Sequence, residues 1–94
     1  MDRAGRLLPA ALEVLVRAQP MSRGKLGFVW RIAVGAAIAG ATEVHLGPDR
    51  ALRVRGPKPW LDEIERSKSV VLARLRHLLG AGVVQTLVLI DTAD

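Results

Sequence analysis

The side chains able to do chemistry in this chain are few and scattered. There is no cysteine, which excludes thiolate chemistry, a cysteine metal site and a disulfide. His45 and His77 stand far apart, with no spacing that makes them a pair of metal ligands. Each reads as a solvated side chain. Ser67 and Ser69 have no recognisable base partner, so neither is placed to act as a nucleophile. Gly80-Ala81-Gly82 lacks the further glycine and the following helix of a dinucleotide-binding loop. A helix end followed by a turn explains it. The expectation is a protein without catalysis, cofactor or metal.

What remains is positive charge. Fourteen Lys plus Arg stand against nine Asp plus Glu, a net charge of +5, and eleven of the fourteen are Arg. That balance favours a polyanion or an acidic protein face as partner. Guanidinium groups suit bidentate contacts with phosphate or carboxylate. Codon bias also produces an Arg-rich, Lys-poor, Ala-rich chain, and solvated surface charge is the competing reading for each arginine. The most coherent cluster is Arg53 and Arg55, which share one face of a predicted strand, with Lys58 in the loop after it. These three are the candidate nucleic-acid site.

A second set lies on the third predicted helix. Arg66, Arg74 and His77 fall on its outer side, while Lys68 interrupts its apolar stripe. Lys68 either snorkels along the core edge or holds a charge at the rim of a partner groove. Trp30 and Trp60 could stack bases, but each falls on an apolar helical stripe and reads first as core. Trp60 opens its helix beside Pro59 and is the one open to half exposure. Trp60, Arg66, Lys68 and Arg74 are the candidate partner-binding residues.

These side chains need elements to hold them. The organising stretch is Lys25–Ala41, with apolar residues at Leu26, Val29, Trp30, Ala33, Val34, Ala37 and Ile38. That spacing is the buried stripe of one amphipathic helix. Gly35, Ala36, Ala39 and Gly40 keep its second half thin. Only about ten uncharged residues follow Arg31, whereas a membrane span needs about 20. Upstream, residues 1–6 read as loose. Leu8, Ala11, Leu12, Leu15 and Val16 repeat at helical spacing, with Pro9 in the first turn. Gln19-Pro20 stops that helix, and Ser22 is placed to cap the next. No signal peptide is evident, which makes the cytoplasm the default location.

Downstream, residues 42–46 and 51–55 alternate around Gly47-Pro48-Asp49-Arg50, which is turn chemistry. Val44, Leu46, Leu52 and Val54 face one way, and Glu43, His45, Arg53 and Arg55 the other. After Gly56-Pro57-Lys58-Pro59 the pattern predicts one helix from Trp60 to Leu79, closed by Gly80. Its N-terminal acids and its C-terminal Arg74, Arg76 and His77 both suit the helix dipole. Val83–Ile90 is apolar nearly throughout and predicts a strand covered on both faces. The predicted order is α-α-β-β-α-β in one domain, residues 8–91, after a loose N-terminus at 1–7. A right-handed crossover sets the third strand parallel to the second. Three helices cover one face of a three-stranded mixed sheet, an α+β fold.

The order and spacing of these residues resemble a known family. Trp30, then Val34-Gly35, then Ala39; a hairpin ending Leu52-x-Val54; Pro59-Trp60 with Glu63-Ile64; Leu72-x-x-Leu75 and Leu78-Leu79-Gly80; and a last hydrophobic strand. Over about residues 8–90 the chain is similar to the DciA family, bacterial loaders or operators of the replicative DNA helicase. The resemblance implies a fold similar to a type II KH domain, the replicative helicase as partner, some affinity for DNA, and no enzymatic activity or nucleotide site. With one hairpin patch and no stacking platform that affinity is expected to be weak. The chain departs from the KH pattern in having no GxxG between two helices, the usual nucleic-acid clamp. Many family members also carry a basic extension, whereas here four residues follow Ile90. Two further readings stay open. One is a stand-alone binder of single-stranded nucleic acid. The other is a structural, self-associating domain whose last strand, at a sheet edge, pairs with its copy.

Overall fold

A computed structural model describes residues 10–92 of the chain. The expected loose N-terminus, Leu8 and Pro9 lie outside those residues. The fold is α+β. Helices α1 (Ala10–Ala18), α2 (Arg23–Val34) and α3 (Ala36–Ala41) lead into strands β1 (Glu43–Leu46) and β2 (Ala51–Gly56). Helices α4 (Lys58–Arg66) and α5 (Lys68–Leu79) then lead to β3 (Thr86–Asp91). The sheet order is β1-β2-β3, with β1 antiparallel and β3 parallel to the central β2. The hairpin, the parallel crossover and the mixed sheet are those the sequence predicts.

The two long predicted helices are each broken into two. Gly35 ends α2 at φ 92°, a left-handed conformation that any other residue adopts only under strain. Its N–H donates to the Arg31 carbonyl at 2.8 Å, and α3 leaves in a new direction. Consequently Leu26, Val29, Trp30 and Ala33 are buried, but Ala37 on the predicted stripe is exposed. The 60–79 helix breaks at Ser67, whose φ and ψ of −115° and 23° depart from helical values. Its N–H is shared between the Glu63 and Ile64 carbonyls at 3.3 and 3.1 Å. The helix also starts earlier than expected, so Lys58 is its first residue and no acid falls in its first turn. The expected dipole role of Asp62, Glu63 and Glu65 therefore fails, while Arg76 and His77 do lie in the last turn of α5.

Capping follows the sequence more closely. Ser22 Oγ accepts from the Lys25 N–H at 3.0 Å at the start of α2. Pro59 occupies the first turn of α4, where its missing N–H costs nothing. Gly80, at φ 100°, closes α5. The side chain of Lys25 reaches back to the Gln19 carbonyl at 2.6 Å and so ties the end of α1 to α2. Of the stripe expected on α1, Leu15 is 58% exposed. Val16 is half-buried and packs against the core.

Trp30, Leu52, Ile64, Leu75, Val29, Val54 and Val84 form the fully buried centre. The Trp30 indole N–H donates to Thr42 Oγ1 at 3.0 Å, and Thr42 Oγ1 in turn donates to the Ile38 carbonyl at 2.7 Å. One hydroxyl thus satisfies a core indole and the end of α3. At Gly56 a Cβ would come within 2.8 Å of Thr42 Cγ2 and 3.0 Å of the Ala41 carbonyl, so only glycine admits this close approach of β2 to the α3–β1 link.

Strand β3 corrects one expectation. It is covered on one face only. Leu87 is buried, while Val88 is 39% exposed and Thr86 faces solvent. The helices pack on the side of Val44, Leu46, Leu52, Val54, Leu87 and Leu89, and the opposite side of the sheet is left open. Replacing Gly35 with Ala should cost about 1–3 kcal/mol, because the backbone conformation there is strained for any L side chain. Thr42→Val should also cost about 1–3 kcal/mol, because it strands the buried indole N–H. Urea unfolding checks both, and losses below about 0.5 kcal/mol would refute these roles.

Candidate arginine face of the sheet

The open side of the sheet is built by the two-residue period of its strands. From β1 it carries Glu43 and His45, from β2 Arg53 and Arg55, and from β3 Thr86, Val88 and Ile90. In register, Arg53 lies between His45 and Val88, and Arg55 between Glu43 and Ile90. The two arginines are therefore central, flanked by apolar groups on one side and by mixed charge on the other.

Their electrostatic states differ. Arg53 makes a two-pronged contact with Asp49, Nη1 to Oδ1 at 3.2 Å and Nη2 to Oδ2 at 3.1 Å. The hairpin turn supplies that carboxylate. Arg50 takes a left-handed φ of 66°, and its N–H donates to the Gly47 carbonyl at 3.0 Å. Asp49 Oδ1 also accepts the Ala51 N–H at 3.2 Å. Hydrogen bonding from Arg53, then from the Ala51 amide, holds the Asp49 carboxyl below its ordinary pKa. The same contact raises the Arg53 guanidinium. Arg55 is exposed and forms no hydrogen bond or ion pair with another described residue. Glu43 stands opposite it in the ladder.

Lys58 does not join this face. It sits on α4, its Nζ 3.1 Å from Asp62 Oδ1. It lines a groove between α4 and β3 whose other charges are Asp62, Glu65 and Asp91. That groove is acidic on balance and repels a phosphate chain. The expected cluster of three is therefore a pair, Arg53 and Arg55, with one of the two already held by Asp49.

The candidate partner residues spread over two helices. Trp60 is half-buried in the first turn of α4. Arg66 is exposed and pairs with Glu63 at 2.9 Å. Lys68 is half-buried as the first residue of α5. The break at Ser67 thus creates a junction between two helices, flanked by Arg66 and Lys68 and without glycine. The Arg74 guanidinium donates to the Ala33 carbonyl at 2.9 Å, at the C-terminal end of α2, where a cation is favoured. This bond ties α5 to α2, so Arg74 has a structural role at this distance.

One tertiary link, through the Arg50 main chain and the Arg76 side chain, has no signal in the sequence. The Gln85 N–H donates to the Arg50 carbonyl at 2.8 Å, and its own carbonyl accepts from Arg76 Nη2 at 3.4 Å. Arg50, at the hairpin turn, and Arg76, on α5, are thereby joined through one residue. No local pattern signals this, because β2 and α4 separate them in the chain. Among the described residues no group of His, Cys, Asp and Glu could hold a metal ion, and no helix is long and apolar enough to cross a membrane.

Neither a family model, nor a curated protein, nor a solved structure matches the chain.

Since Asp49 binds a proton less readily in the folded chain than in the unfolded one, its bridge contributes stability above the usual carboxylate range. That contribution is lost as pH falls through the depressed folded value. Asp49→Asn should remove this component, flattening the fall of unfolding free energy below about pH 5. Denaturant titrations of both proteins across that range test it, and an unchanged acid profile would exclude the bridge as a source.

Proposed function

We propose that this protein is a non-catalytic DNA replication accessory factor of the DciA-like kind, which binds the replicative DNA helicase in the cytoplasm and guides DNA with its arginine face. The order and spacing of Trp30, Leu52-x-Val54, Pro59-Trp60 and Leu78-Leu79-Gly80 carry the reading. An α+β core with an arginine pair on an open sheet supports it. A factor of this type works by binding energy alone, shifting which state of its partner is populated. Arg66 and Lys68 at the helix junction, with half-buried Trp60, are the side chains proposed to meet the helicase. Arginine and aromatic side chains are enriched at protein interfaces.

DNA contact on this reading is weak. Of the two arginines on the open face only Arg55 is uncommitted, and Arg53 must share its charge with Asp49. Among the described residues no aromatic ring interleaves with them to stack bases. The same face serves a stand-alone single-strand binder, and the helicase complex separates the two readings. A third reading, self-association, has its own observation. Strand β3 is an edge strand with Val88 exposed, and an unpaired edge can pair with its copy.

Size-exclusion chromatography with the replicative helicase of the same organism should show a complex at micromolar protein, and its absence would overturn the first reading. For DNA, Arg53→Ala plus Arg55→Ala should flatten the salt dependence of single-strand binding, by about 0.7 in the log–log slope for each phosphate no longer neutralised. Asp49→Asn, which frees Arg53, should strengthen binding. Unchanged slopes in both variants would exclude this face. Light scattering of the unmixed protein decides self-association.

A further inference from the structure

A larger groove lies elsewhere, between α2 and the free edge of β1. It has a volume of about 730 Å³, with Leu26, Trp30, Val44 and Leu46 among its lining residues and Arg23 and Glu43 also on its rim. Strand β1 is the first of three in the sheet, so one of its edges meets no other described strand. Which of its backbone groups lie on that edge follows from the hairpin. The Gly47 N–H donates to the Ala51 carbonyl. The hydrogen-bonded pairs further along are then His45 with Arg53 and Glu43 with Arg55. Val44 and Leu46 fall in the intervening pairs, where N–H and C=O both point away from β2. Two donors and two acceptors therefore face the groove at strand spacing, and the side chains of the same two residues help line it.

We infer that this groove takes an extended peptide from a partner protein as a fourth strand on β1. A strand is the occupant that fits, because it alone supplies alternating N–H and C=O groups at the period the edge offers. Its groove-facing side chains are apolar and meet the half-buried Val44 and Leu46, beneath which Leu26 and Trp30 are buried. The ends of the groove set the charges of the peptide. Arg23 opens α2, whose first turn carries no acid, so that end favours an acidic residue. Glu43 follows Thr42, which Trp30 bonds, and Trp30 is two turns along α2 from Arg23, about 10 Å at 1.5 Å per residue. That end favours a basic residue. Glu43 and His45 border both the groove and the arginine face, but the pairing groups are those of Val44 and Leu46 and not the two arginines, so this site does not rest on the replication reading.

The test uses two acetylated, amidated heptapeptides, Asp-Thr-Val-Thr-Val-Thr-Lys and its charge-reversed form Lys-Thr-Val-Thr-Val-Thr-Asp, titrated into the isotope-labelled full chain and followed by NMR. The Val44 and Leu46 amides and the Trp30 indole should shift, with one charge order preferred. N-methylation of a peptide removes donors without touching the protein fold. Methylating the amides that face β1 should weaken binding at least about tenfold, and methylating the alternate set should change it by less than about threefold. Loss confined to the Val amides means an antiparallel strand, and loss confined to the Thr amides a parallel one. Either supports the site. Equal loss from both sets, shifts only around Arg53 and Arg55, or no shift up to about 1 mM peptide would overturn it. So would a dimer in the unmixed protein with the Val44 and Leu46 amides at its interface, which would give the edge to a second copy.

Discussion

The hydrogen bond from the Trp30 indole to Thr42 is the constraint on which the rest of the molecule depends. Trp30 is the largest side chain in the core and is 2% exposed. A buried N–H without an acceptor would cost more than the bond itself contributes. Thr42 lies where α3 ends and β1 begins, so satisfying the indole also fixes where the hairpin starts. The break at Gly35 brings it there. A straight helix through residue 41 would rise about 1.5 Å per residue along one axis and carry Thr42 past the indole.

Among the described residues, five cations are held in structural contacts. Lys25 closes the end of α1, and Arg74 closes the end of α2. Arg53, Lys58 and Arg66 each have a carboxylate within 3.1 Å. Exposed pairs of this kind contribute little stability each, but they set which charges stay available. On the open sheet face Arg55 has no partner among the described residues, and Arg53 is shared with Asp49. A net charge of +5 therefore overstates the field that a phosphate chain would meet on that face.

The sheet presents its strands in two different ways. Its broad face offers side chains, a central arginine pair with charged groups on one flank and apolar groups on the other. Its β1 edge is narrow and offers backbone groups above an apolar floor. The first suits charge-steered, salt-sensitive contact. The second suits pairing that salt affects little, because it rests on main-chain hydrogen bonds and apolar burial.

Much of this was legible from residue order alone. The hairpin with its dry and charged faces, the Ser22 cap, the Gly80 stop, the buried Trp30 and the parallel third strand all follow from local rules of period, capping and handedness. Those rules act over a few residues, and they hold wherever nothing distant competes. Tertiary structure decided the rest. Gly35 and Ser67 break helices that periodicity joins, because an apolar stripe does not record where the axis must turn to reach the sheet. Val83–Ile90 reads as doubly buried, yet the five described helices all lie on one side and leave Val88 bare. Lys58 is close to Arg55 in sequence but is carried to the other side by α4, while Arg50 and Arg76, far apart in sequence, meet at Gln85. Residue order settles which way a side chain points from its own element. Only the packing of elements determines which side chains end as neighbours.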